Sequence, residues 1–99
     1  MNVTMIRATV KPESVHDLEA AARAMFSVLE ERQPGGVRYA SSRLPGGTTY
    51  VILLALEQPN ENPLPSIPEF QAFQQGLRSW LAEAPTAEQL SVIGSYRLF

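Results

Sequence analysis

Six apolar residues in unbroken succession, Val51-Ile52-Leu53-Leu54-Ala55-Leu56, constrain this chain more than any other feature. A membrane span needs about 20 such residues, and the run is rich in branched side chains, so it reads as a strand from Thr48 to Glu57. Val37 to Leu44 reads as the strand before it. Leu44-Pro45-Gly46-Gly47 joins the two and fits a type II turn, in which proline presets the first central φ and glycine supplies the positive one. The resulting hairpin puts Tyr39 opposite Ile52 and Ser41 opposite Tyr50. Tyr39, Ser41, Tyr50, Ile52 and Leu54 then share one face, and Ala40, Ser42, Val51, Leu53 and Ala55 the other. An antiparallel sheet with one wet face alternates apolar and polar residues, and this strand does not. Both of its faces must be covered, and the chain's own helices can cover only one.

Val3 to Val10 alternates loosely and predicts a first strand, closed by Lys11-Pro12. Ser14-Val15-His16-Asp17 resembles a capping box. Val15, Leu18, Ala22, Met25 and Leu29 follow at helical spacing, with Ala21 and Val28 widening the stripe. This first helix runs to about Gln33, where Pro34-Gly35-Gly36 stops it. Four prolines between Gln58 and Pro68 predict an extended, strandless loop. A second capping pattern, Ser66-Ile67-Pro68-Glu69, starts a helix to about Ala84, with Ile67, Phe70, Phe73, Leu77, Trp80 and Leu81 on one face. Gln89 to Phe99 alternates enough for a fourth strand. The order βαββαβ predicts an α+β, ferredoxin-like domain over residues 1–99: a four-stranded antiparallel sheet with two helices on one face. Right-handed crossovers set the first and third strands side by side at its centre.

Charged residues make up 18% of the chain, against about 25% in an average globular protein. Fewer charges to coat a surface agree with apolar surface meeting a second copy, so a homodimer joined through sheet faces is expected. The net charge of -2 and the lack of any lysine or arginine run argue against a nucleic-acid partner. With no cysteine and one histidine, thiolate sites, disulfides and histidine-rich metal centres are excluded. An arginine interrupts the opening Met-Asn-Val-Thr-Met-Ile-Arg, which is unlike a leader peptide, and no stretch suits a membrane. The expected location is the cytoplasm.

Arg7 is a charge in the middle of a central strand, so it needs a partner or an open cavity. It either forms an ion pair at the sheet end or dimer seam, for example with Glu57, or faces a ligand. His16, in the first turn of the first helix, reads as a solvent-exposed residue in preference to a catalytic one. Phe70, Phe73, Leu77 and Trp80 form an aromatic stripe that is ordinarily core. Gly76 beside it marks either a close approach of helix to sheet or room for a ligand. Tyr39, Tyr50 and Tyr96 each carry an apolar body and a polar tip. No hydrolase, phosphate-loop, metalloprotease or dinucleotide motif occurs. Any chemistry belongs to a shaped pocket, expected between helices and sheet and lined by Arg7, Tyr39, Phe70, Phe73, Leu77, Trp80 and Tyr96, with the Gln58–Pro68 loop at its mouth.

The strand exit Val10-Lys11-Pro12 into the first helix, the stretch Pro34-Gly35-Gly36-Val37-Arg38-Tyr39 and the apolar third strand together resemble the antibiotic-biosynthesis-monooxygenase-like group of dimeric α+β barrels. The resemblance covers nearly the whole length. It implies a cofactor-independent monooxygenase acting on a small aromatic or polycyclic phenol. The alternative is a non-catalytic dimeric domain that binds a small molecule or stabilises an assembly. The third strand ends Ala55-Leu56-Glu57-Gln58 and the second helix opens Pro68-Glu69-Phe70-Gln71. Neither the aromatic after the acid nor the early histidine of some such domains is present, so no cofactor and no metal is implied.

Overall fold

A computed structural model describes all residues from Met1 to Phe99. The elements are β1 (Asn2–Thr9), α1 (Val15–Arg32), β2 (Val37–Arg43), β3 (Thr49–Leu56), α2 (Pro68–Trp80) and β4 (Thr86–Leu90). The sheet is antiparallel throughout, in the order β2-β3-β1-β4. Both helices pack on one of its faces, giving the expected ferredoxin-like arrangement with β1 and β3 central.

The helix stripe of α1 buries Leu18 and Met25. Gln33 then takes a left-handed conformation (φ 48°) and its N–H bonds the Leu29 carbonyl at 2.8 Å, which ends the helix one residue early. Neither capping box forms. Each helix is instead entered through a 3-10 turn, Pro12–Ser14 and Leu64–Ser66, whose own i→i+3 bonds take up the Ser14 and Ser66 N–H groups that Asp17 and Glu69 would serve in a capping box. Arg32 in the last turn of α1 lies 3.9 Å from Glu69 in the first turn of α2. Each charge suits the dipole of its own helix end.

The hairpin differs from expectation in register but not in faces. Tyr39 pairs with Leu54, Ser41 with Ile52 and Arg43 with Tyr50. The turn is longer than two residues: Gly47 N bonds Leu44 O at 2.9 Å and Leu44 N bonds Thr49 O at 2.8 Å. The left-handed glycine is Gly47 (φ 90°), not Gly46, which excludes a type II turn over Leu44–Gly47. A slip of two residues preserves side-chain parity, so the expected division of faces survives.

Helix α2 stops at Trp80 rather than Ala84. Leu81 turns extended and bridges Val10, Lys11 N bonds Trp80 O at 2.9 Å, and Ala82 N bonds Thr9 O at 2.8 Å. Pairing with the end of β1 overrides the helical propensity of Ala82-Glu83-Ala84. The short return forces β4 to begin at Thr86, where it pairs with Val3–Arg7. The strand expected over Gln89 to Phe99 is thus corrected to five exposed residues, whose polar pattern suits an edge. Ser91 to Phe99 forms no strand. Its end reaches β2, where Arg38 Nη1 donates to Leu98 O at 3.5 Å. Val3 and Ala55 on that face are fully buried, while Met5, Val51 and Leu53 beside them are only half-buried.

Candidate functional site

Between the sheet and the two helices lies a partly enclosed cavity of about 140 Å³, walled mostly by hydrophobic side chains. Strand parity supplies one wall. Ile6, Ala8, Ile52, Tyr50 and Tyr39 all point to the helix side, and Ala8, the smallest, stands directly across from Tyr50. The opposite wall comes from both helices: Leu18, Met25 and Phe26 of α1, and Phe73 and Leu77 of α2.

Tyr39 is held by aromatic packing. Its ring lies 5.2 Å from that of Phe26, nearly stacked, and meets Phe70 edge-on at 6.2 Å. Burial pushes its phenol up to about 12. Tyr50 is held by a charge. Its hydroxyl donates to Glu19 Oε2 at 2.6 Å, and Arg43 Nη1 donates to the same oxygen at 2.8 Å. Arg23 Nη2 reaches the other carboxylate oxygen at 3.2 Å. The Tyr50 hydrogen bond, helped by the two guanidinium groups, lowers the Glu19 pKa despite its partial burial. Burial, reinforced by the carboxylate, raises Tyr50 to about 12. Both phenols are therefore neutral at neutral pH.

Outside this layer, α1 and β2 border an open groove of about 670 Å³ that contains Glu19, Arg23 and Arg43. Leu18, Phe26, Ser41 and Tyr50 line both the groove and the inner cavity. These four side chains form the partition between solvent and the enclosed space.

Of the expected lining residues, Tyr39, Phe73 and Leu77 border the cavity. Phe70 packs behind Tyr39, and Trp80 lies 6.1 Å from Phe73 in the surrounding apolar layer. Two placements are corrected. Arg7 is on the opposite sheet face, exposed, between Val51 and Thr86, and forms no ion pair with Glu57. Its odd position in β1 sends it away from the helices, to the sheet face that also carries Met5, Val51 and Leu53, where it is exposed in the single chain. Tyr96 is exposed beyond β4, because the segment that carries it never joins the sheet. The Gln58–Pro68 loop is strandless apart from its 3-10 turn and sends the fully buried Leu64 to a separate groove beside Tyr39 and Phe26. It does not border the inner cavity. His16 is exposed at the start of α1.

Glu19 and Phe26 were not singled out in the sequence, although the signal was there. Val15, Leu18, Glu19 and Ala22 lie on one helix face, so Glu19 is a charge inside an apolar stripe, and Phe26 follows Ala22 by one turn. No three histidine, aspartate or glutamate side chains converge as a metal site requires.

No family model matches the chain, and neither does any curated protein sequence. Solved structures do. A Nitrosomonas europaea protein, provisionally named an antibiotic biosynthesis monooxygenase, superposes with a TM-score of 0.79 at 19% identity, covering 95% of this chain and 100% of that one. A Mycobacterium tuberculosis protein gives 0.75 at 16% identity over 95% and 96% of the two chains. A Chloroflexus aurantiacus protein with the same provisional name gives 0.74 at 16% identity over the full length of both. The chain shares the fold of these proteins from end to end.

Proposed function

We propose that this chain is a cofactor-independent monooxygenase of the antibiotic-biosynthesis-monooxygenase-like group, acting as a homodimer on a small aromatic phenol. The observation that carries the reading is the largely apolar, partly enclosed cavity of about 140 Å³ with two phenol side chains in its wall. Its size sharpens the substrate class. Engineered apolar cavities of about 150 Å³ take up benzene, so this one suits a single ring rather than a polycyclic phenol. The names of the solved structures that share the fold support the reaction class.

Loss of the hydroxyl proton leaves an electron-rich phenolate that reacts with O₂. One oxygen atom forms a quinone carbonyl at a ring carbon and the other leaves as water with the displaced hydrogens. O₂ is then the only oxidant and no outside reductant is needed. The chain's residues hold the ring, exclude water and orient the hydroxyl. The dimer joins through the sheet face that the helices leave bare, where Met5, Val51 and Leu53 remain half-exposed.

A second reading has its own support. Tyr39 and Tyr50 are both pushed up to about 12, so neither is a base at neutral pH, which favours a binding domain without turnover. Thermal shift and oxygen uptake with phenol, catechol and 1-naphthol separate the two readings. The oxygenase reading expects single-ring compounds to raise Tm and at least one to consume O₂ stoichiometrically. Binding without O₂ uptake supports the binding domain, and no binding of any ring sinks both.

A further inference from the structure

We infer that Tyr50 selects the ligand by hydrogen-bond sense: its hydroxyl, committed to Glu19, accepts a hydrogen bond from a donor on a single aromatic ring in the cavity. The inference rests on the cavity reading above and deepens it, because it distinguishes phenols from acceptor-only rings of the same size.

A phenol hydroxyl has one proton and two lone pairs, while an ionised carboxylate has only lone pairs. In the 2.6 Å contact between Tyr50 Oη and Glu19 Oε2, the proton therefore belongs to Tyr50 and points at Glu19. The carboxylate is fixed on its other sides by Arg43 at 2.8 Å and Arg23 at 3.2 Å, so it does not turn away. The lowered pKa of Glu19 keeps it ionised at neutral pH. The Arg43 guanidinium also lies against the Tyr50 hydroxyl and can only donate, so what Tyr50 has left to offer is its second lone pair.

The place of Tyr50 in the wall makes that lone pair matter. Tyr50 is 5% exposed and borders the inner cavity as well as the outer groove. Across the strand pair it meets Ala8, which fills little of the space. The other polar side chains that line the cavity are Tyr39, Ser41 and Gln74. Each of them can donate or accept, so none imposes a sense on the ligand. Tyr50 is the wall residue whose sense is set by a neighbouring charge. A ring with a hydroxyl satisfies it. A ring with an ether oxygen sets one lone pair against another at a buried hydroxyl, and such buried mismatches are costly.

The test uses toluene, phenol and anisole, titrated by calorimetry or ligand-observed NMR into the wild type and Tyr50→Phe. The ratio of toluene to phenol dissociation constants cancels much of the effect of a changed cavity. It is expected to fall about tenfold in Tyr50→Phe, the usual worth of one net hydrogen bond, while toluene still binds. Glu19→Leu provides the second arm. With its proton released, Tyr50 can donate, so the preference for phenol over anisole should shrink. A toluene-to-phenol ratio unchanged in Tyr50→Phe, or a phenol-to-anisole ratio unchanged in Glu19→Leu, overturns the inference while the cavity reading stands. If none of the three rings binds the wild type, the cavity reading fails and the inference falls with it.

Discussion

Tyr39 and Tyr50 lie on neighbouring strands and border the same cavity, yet only the hydroxyl of Tyr50 has a partner within the chain, the carboxylate of Glu19. Removing the two hydroxyls should therefore have unequal effects. Tyr50→Phe gives up a hydrogen bond to a charged group and is expected to lower stability by about 1.5 kcal/mol. Tyr39→Phe keeps the stack on Phe26 and should stay within about 0.5 kcal/mol of the wild type. Urea unfolding with matched m-values checks both, and equal losses would contradict the asymmetry.

The same pair sets the pH limits of stability. Glu19 is held below its ordinary value, so its contribution is complete above about pH 4.5 and is lost as pH falls through the lowered pKa. Tyr39 and Tyr50 are raised from 10.0 to about 12, so between those values the unfolded chain has released protons that the folded one retains. Stability should then be level up to about pH 10 and decline towards 12. Chemical unfolding across pH, followed beside tyrosinate absorbance, reads both limbs. Glu19→Gln should flatten the acid limb and ease the alkaline one.

Much of the fold was legible because local signals agreed with the global arrangement. The proline-glycine breaks, the α1 stripe and the apolar third strand each have a single reading, and parity put Tyr39, Tyr50 and Ile52 on one common face even though the hairpin register was off by two; that this face is the helix side came from the structure. The chain after α2 was not legible, because β4 is an exposed edge strand with no alternation to reveal it. Its start is set by the long-range bridge between Val10 and Leu81. At the site, one rule was applied to one strand and not to a helix. A charge within an apolar pattern drew attention to Arg7, which is exposed in the single chain, while Glu19 carries the same signal at helical spacing and meets Tyr50.

Gly76 and Trp80 make a further prediction, one turn apart on α2. A Cβ at Gly76 would collide with three carbons of the Trp80 indole, which rests on the bare backbone. Alanine in place of a helix glycine ordinarily gains about 1 kcal/mol. Gly76→Ala should forfeit that gain by displacing the indole from Phe73, visible as a red-shifted tryptophan emission. In a Trp80→Ala background the same change should recover it, giving a coupling of about 1 kcal/mol or more. Additive effects would mean that the indole does not depend on this glycine.

The last prediction concerns the sheet face away from the helices. Val51 and Leu53 of β3 and Met5 of β1 share that face, and each remains half-exposed although Val3 and Ala55 beside them are buried. A strand apolar on both sides is explained if a second copy closes over it, and a stable closure buries about 1,600 Å² in total. Met5→Lys probes the seam without penalising the fold. Residue 5 stands directly across from Glu88 of β4, so a lysine there gains a cross-strand partner of opposite charge on the monomer. In a closed dimer the same lysine would be buried at an apolar interface, where an added charge costs several kcal/mol. The wild type should sediment as a dimer at micromolar concentration, and Met5→Lys as a monomer with unchanged far-ultraviolet circular dichroism. A monomeric wild type, or a Met5→Lys variant that sediments like the wild type, would show that this face is not the seam.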